Sequence, residues 1–574
     1  MEINLEQKSL ELKQFVSRYE TSMFLGDISS LMNFISFDNP TNSLKGLSSP
    51  LRQLYYLAGL NLTSAIDKTT ALIPQYSNED WEHIKDLLNQ IEFGYQHFFY
   101  PKQPDEVNEE WVMKRMIAMP TFLSYFNQGP LNYEEQVIER VAIYFQPFNN
   151  EIKQHFGLEV QDFIDIYNYI DSLPNKFLGE KINYKEGQQT WEEFAGEMIS
   201  KNILLPDWNN YMPEHFKNLF QFMYDKGSMN RFTEVELANQ FGNDKASAFI
   251  TTLTCERRES NFLYYSENNI LHTKPLFKVA EDSYQTIETK QLIHAVYNSL
   301  FEFCKTLPDK GEKFYAVRGS ELETKIEKIF QNFFKGKAFV YKGFFTQDKH
   351  EQDLLFLIDG LALIVEAKAS KRDEPRRDPE KAYPLILSNF NETIQKGYDQ
   401  AYRVKSKFIN HEVLQIYKDQ DLKKHIIDIR TKNYHHAFSI VVTLERFGQI
   451  QTNLAELLEI YDDDDFPWSV TVDDLEVFLL LLKKLSKKTS DLTNYLIMRE
   501  KLHGRLICGD ELETCGGFLT NKITNEHLNT DQTVALTPDL SGIFDNYYHK
   551  GGIGFANEKN MNLKTDDKYH VIGQ

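Results

Sequence analysis

Residues 352–368 read Q-D-L-L-F-L-I-D-G-L-A-L-I-V-E-A-K. Asp359-Gly360 stands between two apolar runs, a pattern typical of two antiparallel strands joined by a two-residue type I′ turn. Counting outward from that turn places Asp353 directly opposite Glu366. The inner positions of both strands are apolar on both faces, which is expected of strands in the middle of a buried sheet. The stretch therefore predicts a central β-hairpin that ends in charged residues.

The charged residues at the end of this hairpin are expected to share one face. Glu366 and Lys368 are two positions apart on one strand, and side chains alternate along a strand. Directly opposed residues have Cβ atoms about 4.5–5.5 Å apart, which brings Asp353 to the same point. Two buried carboxylates repel unless a cation compensates them, and hard oxygen ligands suit Mg²⁺ or Mn²⁺. The alternative is an ordinary ion pair of Lys368 with a neighbouring carboxylate on a surface sheet.

This pattern resembles the active-site motif of the PD-(D/E)xK, or restriction-endonuclease-like, nuclease superfamily. Asp353 matches the Asp of the motif, Glu366 its second acidic residue and Lys368 its Lys. Gln352 stands where the motif has its proline, and many members depart at that position. The resemblance covers residues 315–408 and is greatest to the NERD and Mrr-like branch.

The resemblance implies further site residues on two helices. Members carry an acidic residue on a helix before the hairpin; Glu323, on a helix that opens at Gly319, is the better match, and Glu321 is the alternative. A helical Gln after the hairpin matches Gln400. The resemblance thus implies a site with catalytic Asp353, Glu366, Lys368, Glu323 and Gln400, and Mg²⁺ (or Mn²⁺) bound by Asp353, Glu366, Glu323 and the backbone carbonyl of Ala367.

The order of patterns along the chain predicts an α+β multidomain protein. Four segments are expected: a helical sensing or positioning region at 1–225, a winged-helix-like connector at 226–285, a restriction-endonuclease-like domain with a central mixed sheet at 286–530, and a tail at 531–574. In the connector, Thr233 and Glu236 form a capping box for the first of two helices, and strands are expected at Asn261–Tyr265 and Ile270–Thr273. Such units bind DNA or serve as protein–protein connectors.

The charge of the chain restricts how it could contact nucleic acid. The formal net charge is −21, whereas a protein that adheres to nucleic acid non-specifically is basic. Between residues 366 and 407, however, ten Lys and Arg residues stand against seven acidic ones. Contact with phosphate is therefore expected to be confined to a local basic segment beside the site.

Other motifs in the sequence indicate where the protein works and what it does not do. The four cysteines form no C-x-x-C pair, which indicates reduced thiols. The N-terminus lacks the features of a signal peptide, and the longest apolar run, Val477–Leu482, is far too short to span a bilayer. Neither a P-loop nor a dinucleotide-binding glycine motif is present. The four aspartates at 462–465 could bind Ca²⁺ or form a solvated loop. The expectation is a cytoplasmic protein without a membrane partner.

Together these observations predict a metal-dependent endonuclease that acts on nucleic acid, with DNA favoured over RNA. The acidic chain and the large helical half suggest a regulated effector such as a host-defence nuclease. A homodimer or higher oligomer would place two sites on a duplex, and the helical half could bind a regulatory partner. The alternative is a catalytically inert nuclease-fold scaffold that binds nucleic acid or a partner protein.

Overall fold

The chain folds into two units. The first comprises residues 1–100 and 126–311, and the second residues 101–125 and 312–574. The structure, a computed structural model, describes residues 4–32, 44–66, 69, 71–101, 103–127, 132–177, 188–218, 226–308, 310–370, 378–523, 525–528 and 532–558. No helix in these described ranges has the length and apolar character that crossing a membrane requires.

The first unit is mostly helical, as the sequence predicts for the N-terminal half. Amphipathic patterns account for this: in the helix at 78–97 the buried positions recur every three or four residues, and a Ser77–Asp80 capping box begins it. The helices from the start of the chain to residue 305 are α1 Leu5–Ser17, α2 Thr21–Met32, α3 Pro50–Leu62, α4 Asn78–His97, α5 Glu109–Asn127 (which up to residue 125 belongs to the second unit), α6 Glu134–Phe145, α7 Asn149–Phe156, α8 Val160–Phe177, α9 Trp191–Ser200, α10 Glu234–Phe241, α11 Asn243–Leu253 and α12 Thr289–Lys305.

The segment predicted as the connector contains a small antiparallel sheet. Its strands β1 Arg231–Thr233, β2 Leu276–Ala280 and β3 Ser283–Thr286 lie in the order β1-β3-β2. The Thr233–Glu236 capping box begins α10 as predicted. Two helices precede a hairpin, but the hairpin is not formed by the predicted residues.

The strands predicted at Asn261–Tyr265 and Ile270–Thr273 are wrong. Side chains satisfy that backbone instead of a partner strand: the Glu267 carboxylate accepts the N–H groups of Leu263 and Tyr264, at 2.6 and 3.0 Å. The Asn269 side chain begins a 3₁₀ turn at Ile270–His272. Because these backbone donors are already paired, the hairpin forms later in the chain, at β2 and β3.

The second unit contains a seven-stranded mixed sheet, which confirms the predicted central mixed sheet. Its strand order is β10-β9-β6-β5-β4-β7-β8, and β6, β9 and β10 run parallel. The strands are β4 Phe339–Thr346, β5 Glu351–Ile358, β6 Leu361–Lys368, β7 Val413–Tyr417, β8 His425–Arg430, β9 His436–Thr443 and β10 Trp468–Thr471. The helices are α13 Gly311–Phe333, α14 Pro379–Phe390, α15 Lys396–Ile409, α16 Gln449–Thr452, α17 Val472–Lys484, α18 Thr489–Leu502, α19 Glu511–Leu519, α20 Asn525–Leu528 and α21 Gly542–His549.

The predicted hairpin forms the centre of this sheet. Asp359 and Gly360 both have positive φ, 47° and 78°, as a type I′ turn requires. The β5–β6 register pairs Ile358 with Leu361 and runs to Leu354 with Val365. The predicted turn is therefore confirmed, and so is the register as far as Leu354 and Val365; the ladder ends one pair before the predicted Asp353–Glu366 pair.

Helices cover both faces of the hairpin. On one face, Leu355, Leu357 and Ile364 pack with Ala401 and Val404 of α15 in a buried cluster. On the other face, the Phe356 ring lies 4.8 Å from the Phe330 ring of α13, measured between centroids. Alternation along the strands places Asp353, Glu366 and Lys368 on the α15 face.

The sequence predicts a tail from residue 531, whereas residues 532–558 are folded into the second unit. Val534–Ala535 (β12) pairs in parallel with Leu506–Ile507 (β11). Phe544 of α21 and Ile553 are almost fully buried. Burial of these apolar side chains explains why this Gly- and Asn-containing segment is ordered.

Candidate active site

The candidate site lies where strands β5 and β6 diverge. Their pairing ends at Leu354 and Val365. Beyond that point β5 continues along β4, while β6 continues along β9, where Glu366 pairs with Val441 and Lys368 with Thr443. A fork between two central strands leaves backbone groups without ladder partners. We call the residues Asp353, Glu366, Ala367 and Lys368 at this point the fork.

Side chains take the place of the ladder at the fork. The Ala367 N–H donates to Asp353 Oδ2 at 2.8 Å, and the Asp353 N–H points to Glu366 Oε1 at 3.4 Å. The Lys368 Nζ lies 3.1 Å from Glu366 Oε2 and 3.9 Å from Asp353 Oδ2. The two carboxylates and the amine predicted to converge therefore do so, on one face of the sheet.

Helix α15 contributes the fourth predicted residue. Lys368 Nζ donates to the Gln400 side-chain oxygen at 2.6 Å, so the amine is held between Gln400 and Glu366. Gly397, one turn earlier, permits this approach: a Cβ there would lie 2.8 Å from Val441 Cγ1 and 3.1 Å from Lys368 Cε. The residue that lets the helix approach is missing from the sequence prediction, although a glycine inside a helix is a signal of close packing.

The electrostatics of the fork are unbalanced towards negative charge. The Glu366 side chain is fully buried. Burial, and next the charge of Asp353, raise the pKa of Glu366 to about 8, against the lowering effect of Lys368. One ammonium group therefore does not fully compensate the carboxylates, and a further cation would favour their ionised form.

Glu323 lies on a helix that is longer than the sequence predicts. The helix begins at Gly311 rather than Gly319. Burial and then the charge of Asp353 raise the pKa of Glu323 to about 7, while Lys342 and Lys368 lower it. Glu323 therefore lies within electrostatic range of the fork, although it makes no hydrogen bond to the described fork residues.

The predicted metal ligands do not form one compact group. Among the residues that the structure describes, no three His, Cys, Asp or Glu side chains are close enough together to hold a metal ion. The adjacent donors are the carboxylates of Asp353 and Glu366, with Ala367 between them in the fork. Glu323 is the more distant member of the predicted metal-ligand set.

Much of the predicted basic segment is occupied by internal ion pairs. Lys405 is buried, with its Nζ 2.5 Å from Asp464 and 3.7 Å from Glu500, and Lys407 pairs with Glu412 at 2.8 Å. Residues 371–377, which include four of the basic residues, lie outside the described residues. Of the other predicted cations, Lys396 on α15 is exposed.

The acidic run at 462–465 is not simply a solvated loop. The Asp464 side chain is buried, and it accepts a hydrogen bond from the Tyr398 hydroxyl at 3.0 Å as well as the ion pair with Lys405. The rings of Tyr402 and Tyr461 stack at 3.9 Å. This loop therefore anchors helix α15 through Tyr398, Tyr402 and Lys405.

Searches for related proteins returned no match: no protein-family model, no curated protein and no solved structure is similar to this chain at a significant level.

Proposed function

We propose that this chain is a metal-dependent endonuclease that hydrolyses phosphodiester bonds of nucleic acid, DNA more than RNA. The observation that carries the proposal is the fork, where Asp353, Glu366 and Lys368 converge and Gln400 holds the amine. A buried sheet rarely contains such a group unless the charges have a partner or a chemical role.

The residues of the fork fit Mg²⁺ or Mn²⁺. Mg²⁺ is usually bound by one or two carboxylates, with waters and substrate phosphates completing its shell. Asp353 and Glu366 would supply the carboxylates and Ala367 its backbone carbonyl, with Glu323 as the further acidic ligand. Burial and then Asp353 raise the pKa of Glu366, and a bound cation would favour its ionised form. When bound, the ion would stabilise the negative charge that develops on the phosphate during hydrolysis.

Lys368 is suited to contact the attacking water or a phosphate oxygen of the substrate. An ammonium group has three donors, and Gln400 and Glu366 accept two of them. The third donor can orient a water for attack or contact a phosphate oxygen. Gln400 is a positioning residue, because it acts on the reaction through Lys368.

The biological setting is proposed from composition and resemblance. A net charge of −21 with a mostly helical first unit fits a regulated effector such as a cytoplasmic host-defence nuclease. Assembly into a homodimer would bring two sites to a duplex. The β1-α10-α11-β2-β3 segment has the element order of a winged helix, and we propose that it contacts DNA or a regulatory partner.

A cleavage assay tests the proposal directly. The purified chain is incubated with plasmid, single-stranded DNA and RNA in Mg²⁺, Mn²⁺ or EDTA. Asp353→Asn, Glu366→Gln and Lys368→Met should each lower metal-dependent cleavage by about a thousandfold or more, since the groups act as a unit. Asp359→Asn is the matched control, because it removes an exposed carboxylate at the turn of the same hairpin, keeps a residue that favours the type I′ turn, and should leave cleavage near the wild-type rate.

Stability measurements separate loss of function from loss of fold. In EDTA, Glu366→Gln should melt at or above the wild-type temperature, because Gln resembles the protonated carboxyl that the raised pKa of Glu366 favours. Mg²⁺ should raise the melting temperature of the wild type and not that of Glu366→Gln. If the wild type binds Mg²⁺ and nucleic acid but cuts none of the three substrates, the protein is the inert scaffold instead.

A further inference from the structure

The first unit contains a cavity that shares no lining residue with the candidate active site. Its volume is about 190 Å³, which corresponds to roughly six water molecules at about 30 Å³ each. Its walls come from the start of α3, the irregular segment around Tyr265, and α12. The side chains used below are Tyr55, Tyr56, Phe262, Tyr265, Gln291 and His294.

Aromatic rings form one side of this cavity. The rings of Tyr56 and Tyr265 stack with centroids 3.9 Å apart and planes 23° apart. The Phe262 ring lies 6.0 Å from Tyr56. All three side chains are largely buried. Such a wall is a surface on which a flat ring can stack.

The lining of the cavity also contains polar side chains with unpaired atoms. The Tyr55 hydroxyl and His294 Nε2 are buried, and neither has a hydrogen-bond partner among the residues that the structure describes. Tyr55 is 8% exposed. Burial lowers the pKa of His294 to about 3, so the imidazole is neutral and its Nε2 can donate or accept according to its tautomer. Buried polar atoms of folded proteins are normally paired, so a polar group bound in the cavity would satisfy both.

The remaining polar groups define what that ligand must offer. The side chains of Gln291 and Glu288 also line the cavity. Burial first, and then the charge of Glu288, raise the pKa of Tyr55. An amide and a carboxyl present donors and acceptors side by side, as side chains that read base edges do. An apolar ring would leave Tyr55 and His294 unpaired, and a flexible aliphatic chain would make poor use of the stacked wall.

We propose that this cavity binds a single nucleobase, as a nucleoside or nucleotide, with the ring against Tyr56 and Tyr265 and its polar edge towards Tyr55, Gln291 and His294. The volume suits one heteroaromatic ring system rather than a drug-sized ligand, which needs about 300–1,000 Å³. The inference does not rest on the nuclease proposal, because none of its residues belongs to the fork.

Calorimetry on the full chain tests the proposal. The probes are the common ribonucleosides and deoxyribonucleosides and their 5′-monophosphates, each titrated to millimolar concentration in EDTA. At least one base should bind with one-to-one stoichiometry. A nucleoside that binds as tightly as its monophosphate identifies the base alone as the recognised group, and tighter binding of the monophosphate identifies a nucleotide. Naphthalene sulfonate, a flat ring without the base edge, should bind more weakly than either.

Variants connect binding to the cavity. Tyr55→Phe removes only the unpartnered hydroxyl, so it should weaken binding about threefold to tenfold without lowering the melting temperature of the free protein. Gln291→Leu, of similar volume, should weaken binding as well. Tyr167→Phe is the matched control, since Tyr167 is a fully buried tyrosine of the same unit that does not line the cavity. The proposal is overturned if no base binds, or if Tyr55→Phe and Gln291→Leu both bind as the wild type does.

Discussion

Lys368 shows how one side chain depends on two distant parts of the chain. Its strand brings it beside Glu366, and helix α15 supplies Gln400 on its other side, 2.6 Å from the amine. A flexible lysine side chain would otherwise sample many rotamers, with a large loss of entropy on ordering. The Gln400 oxygen and Glu366 therefore hold the amine in one position and leave one of its three donors for another partner.

At the residue scale, Gln400→Ala should slow cleavage about tenfold to a hundredfold, the range typical of groups that orient a reactive residue. The loss should fall on kcat more than on KM, because Gln400 acts through Lys368 and not on the bound substrate. Gln400→Glu keeps an oxygen acceptor and should recover most of the rate. Steady-state kinetics on a short duplex would check this, and an unchanged kcat in Gln400→Ala would contradict the positioning role.

At the scale of elements, the approach of α15 to strands β6 and β9 determines the shape of the site. Gly397→Ala would place a Cβ 2.8 Å from Val441 and 3.1 Å from Lys368. Overpacking of this kind costs about 1–3 kcal/mol in the free energy of unfolding, and it should lower cleavage as Lys368 is displaced. Urea denaturation and the cleavage assay measure the two effects.

A matched glycine provides the control for this prediction. Gly319 lies inside helix α13, and a Cβ there would meet no atom within 4 Å. Gly319→Ala should therefore raise the free energy of unfolding by about 0.5–1 kcal/mol through helix propensity. If both alanine variants were stabilised equally, the close packing at Gly397 would have no energetic weight.

The contacts of Lys405 on α15 with Asp464 and Glu500 should make the stability of the protein depend on pH. Burial is the largest cause that raises the pKa of Glu500 to about 7, with Asp465 and Asp464 adding to it and Lys405 opposing it. Between pH 4.5 and 7 the folded protein retains a proton that the unfolded chain releases. The free energy of unfolding should therefore fall as pH rises through this window, by at most about 1.4 kcal/mol per pH unit from this group.

Comparison with Glu500→Gln isolates this contribution. The variant cannot ionise at that position, so its free energy of unfolding should decline less between pH 4.5 and 7 and should exceed that of the wild type at pH 8. Urea denaturation at several pH values gives the free energy of unfolding of both proteins. The difference between the two values at each pH cancels the contributions of the other titrating groups. Parallel curves for the two proteins would show that Glu500 ionises normally in the folded state.

At the scale of the whole molecule, an acidic chain must bind nucleic acid through few contacts. The net charge is −21, and the cations Lys405 and Lys407 of the basic segment are paired internally. Each phosphate contacted by a cation contributes about −0.9 to the slope of log K against log salt concentration. We expect a slope of about −2 to −4. Fluorescence anisotropy of labelled DNA in EDTA measures it, and a slope steeper than about −6 would indicate a dispersed basic surface.

The division into two units explains which parts of the organisation were accessible from sequence. Amphipathic patterns predict the helices of the first unit because they depend only on neighbours three or four residues apart. Membership of a unit depends on contacts between distant segments: residues 101–125 belong to the second unit, and α12 belongs to the first. The four predicted segments therefore follow the order of the sequence patterns along the chain, but they do not coincide with the two structural units.

The sequence by itself determined the hairpin and its register, because both are local. Asp359-Gly360 favours one turn, and the two-residue alternation of strands then decides that Asp353, Glu366 and Lys368 share a face. Gln400, by contrast, is predicted only from the resemblance to the nuclease superfamily.

Only the tertiary structure decided what surrounds these residues. The fork exists because β5 stays with β4 while β6 stays with β9, a strand that begins 68 residues after Lys368. The burial that raises the pKa of Glu366 and the pairing of Lys405 with Asp464 likewise come from segments far apart in the chain. Pattern and turn chemistry act over a few residues and predict that the hairpin is buried. Which groups surround the fork, how its charges are compensated and where cavities form are properties of the packed chain, and no local signal in the sequence predicts them.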